Sequence, residues 1–135
     1  MIFADAGWFI ALVDPKDGLH LRPIRWFHAV DQPIITTRYV LPETFNALSD
    51  LAKRRRCHEL LASIISESDV SVVTVTPDLF DLGVHLHRER SDKTWSLTDC
   101  ISFVLMQQQG VAAALAHDHH FEQAGYEALL RREPG

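Results

Sequence analysis

The fold is decided at residues 94–106, which read TWSLTDCISFVLM. A polar lead ends in Asp99, and an apolar run of helical character follows at once. Asp99 therefore lies where a helix begins, because the unpaired N–H groups and the dipole of a first turn favour a carboxylate there. One interpretation is that Asp99 or Ser96 only caps this helix. The other is that Asp99 is one of several acids that the fold gathers.

Short apolar runs alternate with helical stripes along the rest of the chain. The pattern predicts, in order, a strand at 2–4, a helix at 6–13, a turn at 14–18, a helix at 20–30, a strand at 33–37, helices at 39–53 and 58–67, a strand at 70–75, a helix at 77–90, the helix that ends near Gly110, a strand at 111–116, a helical turn at 121–124 and a last strand at 126–130. This alternation predicts a single α/β domain over residues 1–135, with a mostly parallel sheet covered by helices on both faces.

Composition narrows the class of protein further. The formal net charge of −5 argues against nucleic-acid binding driven by overall charge, although it leaves room for a local basic rim. No apolar run approaches the length that spans a bilayer, and residues 1–5 lack the basic lead of a signal peptide. Cys57 and Cys100 have neither metal-type spacing nor the pattern of a disulfide framework. We therefore expect a cytoplasmic protein without membrane contact.

Four acids fall at strand ends or helix starts. Asp5 ends the first strand, Asp118 follows the strand at 111–116, and Glu43 and Asp99 each begin a helix. Each one alone is explained as a cap or a solvated first-turn residue. In a parallel sheet, however, ligands bind beyond the carboxyl ends of the strands. Grouped carboxylates repel one another unless cations are present, so four such placements at one edge predict a cation site.

The donor atoms of these acids indicate which cation and which reaction. Oxygen ligands without cysteine or an obligatory histidine select Mg²⁺ or Mn²⁺ over Zn²⁺. Two such ions ~4 Å apart can activate water and stabilise the leaving oxygen of a phosphodiester. The residues therefore predict metal-assisted hydrolysis of a phosphate ester.

Four segments carry a resemblance to a known family. They are Asp5 after the opening strand, Pro42-Glu43-Thr44 in a helix's first turn, SLTDCISF at 96–103 and HDHHF at 117–121. In this order they resemble the PIN-domain nucleases, and the third motif and the chain length are similar to the VapC-type toxins of toxin–antitoxin pairs. The resemblance implies a doubly wound three-layer α/β/α sandwich, Mg²⁺-dependent (or Mn²⁺-dependent) endoribonuclease activity on RNA, and inhibition by a cognate antitoxin protein.

The resemblance also implies roles for the acids. Asp5 and Asp99 are expected to be the principal ligands of the first metal. Glu43 and Asp118 are expected to complete the acidic pocket, directly or through waters, and to help orient the attacking water. All four are thus the expected catalytic and metal-binding residues.

Two hydroxyls are candidates for supporting these ligands, namely Thr98 and Thr37. The chain departs from the family at Ala6-Gly7, where the family often places serine or threonine after the first acid. A hydroxyl contact near the metal is therefore expected to be absent.

Basic residues are the candidate contacts for RNA phosphates. Four of them precede the acids closely in sequence: Arg38, Arg88, Arg90 and Lys93. The run Lys53-Arg54-Arg55-Arg56 has two interpretations. It either stabilises a helix C-terminus and stays solvated, or it contacts RNA or an acidic antitoxin segment.

Other features allow more than one interpretation. The segment 117–120, HDHH, looks like a zinc cluster, but neighbouring histidines on a turn are expected to point in different directions. Asp92 is expected to be a solvated loop acid. Trp95 is either a core residue or a stacking platform for an RNA base. The apolar faces of the helices at 21–30 and 39–51 could form a homodimer, receive an antitoxin helix, or simply pack in the core.

Two rival functions remain at this level. A non-catalytic PIN-like module that binds RNA or protein is favoured only by the missing hydroxyl after Asp5. A Mg²⁺-dependent phosphatase or receiver-like domain would use Asp5 as a nucleophile. That chemistry needs a second acid beside Asp5 and a lysine late in the chain, and Lys93 is the last lysine.

Overall fold

A five-stranded parallel sheet organises the molecule. The computed structural model describes residues 1–14 and 21–135, so most of the predicted turn at 14–18 and the predicted start of a helix at His20 lie outside the described residues. The strands are β1 (Ile2–Ala4), β2 (Ile34–Thr37), β3 (Val70–Val73), β4 (Ala113–Leu115) and β5 (Glu127–Ala128). Their order is β3-β2-β1-β4-β5, and every neighbouring pair is parallel.

Two groups of helices cover the sheet. The helices are α1 (Ala6–Val13), α2 (Leu21–Ala29), α3 (Val40–Ala47), α4 (Leu51–Glu67), α5 (Pro77–Glu89), α6 (Leu97–Gln109) and α7 (His119–Gln123), and a 3-10 turn spans Leu129–Arg131. Helix α1 packs against α2, α3 and α4, whereas α6 packs against α5 and α7. Because α3 and α6 both pack on β2, each group covers the sheet. The expected α/β/α architecture is confirmed.

The core is centred on β1. All three residues of β1 are buried, as expected for a central strand with helices on both faces. Phe3 pairs in register with Ile35 of β2 and with Ala114 of β4. Just past the strand, the backbone N–H of Asp5 donates to the carbonyl of Leu115 at 3.2 Å. The carboxyl ends of β1 and β4 therefore lie side by side.

The predicted helix at 39–53 is wrong in its extent. Helix α3 ends at Ala47 and α4 begins at Leu51. The break is explained by Asp50, whose carboxylate accepts a hydrogen bond from the Lys53 N–H at 2.9 Å and so caps the start of α4. The basic run at 53–56 consequently lies in the first turns of α4, not at a helix C-terminus as predicted.

Nearby acids compensate for the unfavourable position of this run. The ammonium of Lys53 lies 3.0 Å from a carboxylate oxygen of Asp14 and 3.5 Å from one of Asp50. The guanidinium of Arg54 donates to the Ser49 carbonyl at 2.9 and 3.0 Å. Two of the four residues of the run, Lys53 and Arg54, therefore stabilise the junction between α3 and α4.

Smaller deviations occur at α2 and at the last strand. The predicted apolar stripe of α2 began at Leu21, but Leu21 is exposed and the helix buries Pro23 and Trp26 instead. The strand predicted at 126–130 is shorter, because the chain enters the 3-10 turn after Ala128.

None of the described helices is long and apolar enough to cross a bilayer.

Candidate active site

A cavity of about 660 Å³ opens beyond the carboxyl ends of β1 and β4. Its described lining consists of Asp5, Ala6, Gly7, Ile10, Glu43, Thr94, Ser96, Asp99, His117, Asp118, His119, His120 and Arg131. All four predicted acids belong to this lining. We call this space the acidic cavity.

Each acid of the cavity is placed by a helix start. Asp5 is the N-cap residue of α1, and Glu43 lies in the first turn of α3. Asp99 forms a capping box at the start of α6: it accepts from the Ser96 N–H at 3.1 Å, and its own N–H donates to the Ser96 hydroxyl at 3.0 Å. Asp118 caps α7 by accepting from the His120 N–H at 3.0 Å. Capping and convergence on the cavity are therefore compatible for the same residues.

The pKa of Asp5 reflects both its burial and its acidic neighbours. Burial, followed by the negative charges of Asp99, Glu43 and Asp118, raises this pKa from 3.8 to about 7, against a hydrogen bond from the Ala6 N–H that lowers it. A carboxylate repelled by three others holds its charge poorly at neutral pH. The acidic cavity therefore has the electrostatic character of a cation site.

Glu43 and the two predicted supporting threonines show different surroundings. Removal from water raises the pKa of Glu43, a hydrogen bond from the Thr98 side chain lowers it, and the charge of Asp99 raises it. Thr98 thus already contacts one of the acids. The hydroxyl of Thr37 is fully buried and has no hydrogen-bond partner among the described residues, so its supporting role stays a prediction.

His120 is a residue of the cavity that the sequence reasoning missed. Its Nδ1 lies 3.1 Å from Oδ2 of Asp99 and 3.3 Å from Oδ2 of Asp118, and its Nε2 lies 3.3 Å from the Thr94 hydroxyl. Nothing in the motif HDHHF distinguishes this histidine from the ones beside it. Only the packing of α7 against α6 brings His120, and not its neighbours, into contact with Asp99.

The expected divergence of the histidines is wrong. Potential ligand atoms of Asp118, His119 and His120 lie within 4.8 Å of one another. The reason is the Asp118 carboxylate, which lies 3.3 Å from Nδ1 of each histidine. These contacts with one carboxylate account for the closeness of the two histidines.

The predicted RNA-contacting cations lie outside the described lining of the acidic cavity. Arg90 and Lys93 both form ion pairs with Asp92, the residue that the sequence predicted to be a loop acid. Arg38 and Arg88 are exposed. Among the described lining residues Arg131 is the only arginine or lysine, and it was not predicted.

The Trp95 side chain and the Cys100 thiol belong to the core of the fold. Trp95 is buried, donates from its indole N–H to Gln123 at 3.0 Å and lies under the Arg90 guanidinium at 4.9 Å. It is therefore not an open stacking platform in this conformation. Burial, followed by the charge of Asp99, raises the pKa of the Cys100 thiol to about 11, so this thiol is a poor metal ligand.

The residues of the cavity fit a hard divalent cation. Four carboxylates converge, and burial together with the negative charges of the other three keeps the pKa of Asp5 high. Oδ1 of Asp99 makes no hydrogen bond within residues 1–14 and 21–135, whereas Oδ2 is used by Ser96 and His120. Oxygen donors of this kind suit Mg²⁺ or Mn²⁺.

The fold and the acidic cavity define a class of protein, which comparison with known families identifies. The chain belongs to the PIN domain family, which matches residues 2–126. The 23S rRNA-specific endonuclease VapC20 of Mycobacterium tuberculosis is 29% identical over 130 residues, which are 93% of this chain and 95% of the relative.

Solved structures agree with this assignment. The crystal structure of M. tuberculosis VapC20, described as a Sarcin-Ricin loop cleaving toxin, superposes with a TM-score of 0.84 at 27% identity and covers 95% of this chain and 98% of its own. FitAcB from Neisseria gonorrhoeae gives a TM-score of 0.65 at 12% identity, with 94% and 95% coverage, and this likeness concerns the fold alone.

Proposed function

We propose that this protein is a metal-dependent endoribonuclease and the toxin of a type II toxin–antitoxin pair. The observation that carries the proposal is the convergence of four carboxylates in one cavity of a PIN-domain chain. Its relative VapC20 is named for cleavage of 23S rRNA, and this likeness extends over nearly the whole chain. We therefore take RNA as the substrate and the sarcin–ricin loop as the first RNA to test.

The proposed chemistry assigns a role to each acid. Asp5 and Asp99 hold a Mg²⁺ or Mn²⁺ ion, and Glu43 and Asp118 complete its surroundings and orient the attacking water. The bound ion supplies activation of that water and stabilisation of the leaving oxygen. Both oxygens of Asp118 already contact His120, and Asp118 would contribute to the ion's surroundings directly or through waters.

Substrate binding is proposed to use cations at two distances from the acids. Arg131 borders the acidic cavity, where its guanidinium is held 2.9 Å from Glu122, and it is placed to meet the phosphate next to the one that is cleaved. Arg38, Arg88, Arg90 and Lys93 remain the proposed outer contacts. Such a local basic rim is what a chain of net charge −5 needs to bind RNA.

The decisive test compares an acid of the cavity with an exposed acid elsewhere in the fold. Asp99→Asn removes a proposed ligand charge from the cavity, whereas Asp81→Asn removes a charge from an exposed residue of α5 that lies outside the described lining. We expect the first change to reduce cleavage of a sarcin–ricin loop RNA in Mn²⁺ by at least ~100-fold, as losses of transition-state charge stabilisation do. The second should leave the rate within about twofold, since exposed surface changes have small effects.

The same assay separates the rival function. A non-catalytic module would show no cleavage by the wild type with either ion, and cleavage that survives EDTA would contradict the metal. Undiminished cleavage by the Asp99→Asn protein would remove this residue from the site. A trapped aspartyl-phosphate on Asp5 would instead revive the phosphatase alternative.

The partners, the location and the oligomeric state of the protein are proposals as well. We propose a cognate antitoxin protein that is produced with the toxin, a cytoplasmic location, and a homodimer through the apolar helix faces. Co-expression of the adjacent gene followed by co-purification and light scattering identifies the antitoxin and the number of toxin chains in the complex. Loss of RNA cleavage in that complex is the expected result.

A further inference from the structure

We propose that His120 is a positioning residue, whose Nδ1–H holds the carboxylates of Asp99 and Asp118 in the orientation that binds the cation. This inference rests on the proposed function of the acidic cavity. It begins from the placement of the ring between the starts of two helices. One nitrogen faces both carboxylates, at 3.1 and 3.3 Å.

The contacts of the ring fix which nitrogen carries hydrogen. Ionised carboxylate oxygens only accept hydrogen bonds, so Nδ1 must be the donor toward Asp99 and Asp118. The hydroxyl of Thr94, 3.3 Å from Nε2, can donate to that nitrogen when it carries no hydrogen. Thr94 thus stabilises the tautomer that the carboxylates require.

His120 is itself held in place by the turn it belongs to. Its backbone N–H donates to Oδ1 of Asp118 at 3.0 Å, and its side chain is only 15% exposed. A ring fixed at both its backbone and its Nε2 has little freedom to turn away. The position of Nδ1 is therefore determined by the fold and not by the ion.

The two carboxylate oxygens of Asp99 therefore have different roles. Oδ2 accepts from the Ser96 N–H at 3.1 Å and from His120, which fixes the plane of the carboxylate. Oδ1 is left without a hydrogen-bond partner among the described residues and is the oxygen available to a cation. Groups that orient metal ligands in this way usually change metal affinity or activity about 10- to 100-fold when mutated.

Two substitutions separate the Nδ1 contact from the rest of the side chain. In His120→Asn the amide nitrogen occupies the place of Nδ1 and keeps a donor toward the carboxylates. In His120→Gln the amide lies at the distance of Nε2, which keeps a polar group near Thr94 but loses the donor toward Asp99. The two variants therefore match in polarity and differ only in whether they donate a hydrogen bond to the carboxylates.

The experiment is calorimetric titration of the full chain with Mn²⁺, together with thermal unfolding of each metal-free variant. We expect His120→Asn to bind Mn²⁺ within about threefold of the wild type and His120→Gln to bind at least ~10-fold more weakly. Thr94→Val, an exposed change that frees Nε2, should weaken Mn²⁺ binding relative to the wild type but by less than His120→Gln, and an unchanged affinity in this variant counts against the positioning role. It should leave the unfolding temperature unchanged and provides the test if His120→Gln does not fold.

The outcomes distinguish this inference from the proposed function. Equal Mn²⁺ affinity in wild type, His120→Asn and His120→Gln overturns the positioning role while leaving the nuclease proposal intact. Equal loss in both variants also overturns it, because the ring would then be a metal ligand itself. Absence of Mn²⁺ uptake by the wild type at millimolar concentration contradicts both.

Discussion

At the scale of single residues, Asp5 is where stability and function conflict. Its pKa is about 7 in the folded protein against an ordinary value of 3.8. Between these pH values the folded protein therefore keeps a proton that the unfolded chain has released. The free energy of unfolding of the metal-free protein consequently falls as pH rises from about 4 to about 7, and it levels off above that window.

The first prediction isolates this residue. At about 1.4 kcal/mol per pKa unit, the Asp5 contribution lost by pH 8 is on the order of 4 kcal/mol. Asp5→Asn removes the charge, so the metal-free variant should unfold at a higher temperature than the wild type at pH 8 and at a similar temperature at pH 4. The measurement is thermal unfolding across this range in EDTA.

Divalent cation provides the internal control for that series. Millimolar Mn²⁺ should raise the unfolding temperature of the wild type at pH 8, because binding to the folded state stabilises it, and should raise that of Asp5→Asn less. Parallel pH profiles of the two proteins would show that Asp5 does not have the raised pKa that its burial and its acidic neighbours predict.

The acids could be predicted from sequence, whereas His120 could not. An acid directly after a strand or at a helix start lies at the ligand-binding edge in any parallel α/β arrangement, so Asp5 and Asp99 needed only the order of the elements. The contact of His120 with Asp99 depends instead on how a five-residue helix packs against its neighbour. No periodicity encodes that angle, and adjacent histidines give the same local signal.

At the scale of elements, the packing of α5 against α6 depends on one glycine. A Cβ placed on Gly83 would lie 2.4 Å from Cγ1 of Ile101 and 3.3 Å from its backbone N and Cα. Ile101 is fully buried and β-branched, so it has no room to move away. The closeness of these two helices positions the start of α6 and with it Asp99.

The second prediction compares two glycine-to-alanine changes in helices. Gly83→Ala should lower the free energy of unfolding by about 1–3 kcal/mol, because overpacking outweighs the gain in helix propensity. Gly7→Ala, at an exposed site in α1 where an added Cβ meets nothing within 4 Å, should raise it by about 0.4–1 kcal/mol. Chemical denaturation at fixed pH measures both, and destabilisation by the two changes alike would refute the role of the α5–α6 contact.

The boundaries of elements were predicted less well than their order. Helical periodicity runs on from 39 to 53, and it does not reveal that the chain leaves the helix at Leu48. The available signal was Asp50, a residue type that favours N-caps and here satisfies the Lys53 N–H. Because this cap starts a new helix, the basic run changes from a C-terminal to an N-terminal position, which reverses the argument from the helix dipole.

At the scale of the whole molecule, the last residues of the chain pack against the rest of the fold. The strand order could not be derived from the sequence, because alternating strands and helices are compatible with several orders. The last segment also contributes to the core. Leu129 and Leu130 are buried, and the Leu130 N–H donates to the Ala116 carbonyl at 3.2 Å, beside the strand that leads into Asp118.

The chain end also joins this region to α2. The Trp26 indole donates to the Arg132 carbonyl at 2.9 Å, and the Arg132 guanidinium lies 5.3 Å from the centre of the Trp26 ring. Arg22 donates to the Leu130 carbonyl at 3.2 Å and pairs with Glu133 at 3.2 Å. We therefore propose that the folding unit extends past residue 126, where the family match ends, and includes the segment 127–135.

The last prediction tests that extent by deletion. Removing residues 127–135 exposes the surface covered by two buried leucines, each worth about 1.5–3 kcal/mol, and part of the surface of Trp26. Domains of this size have about 5–15 kcal/mol of stability, so the truncated chain should lose a large share of it and unfold at a clearly lower temperature. Removing residues 134 and 135 alone should leave the unfolding temperature unchanged, because neither residue makes a side-chain hydrogen bond or ion pair in the described structure. An unaltered transition in the longer deletion would place the end of the folding unit at residue 126.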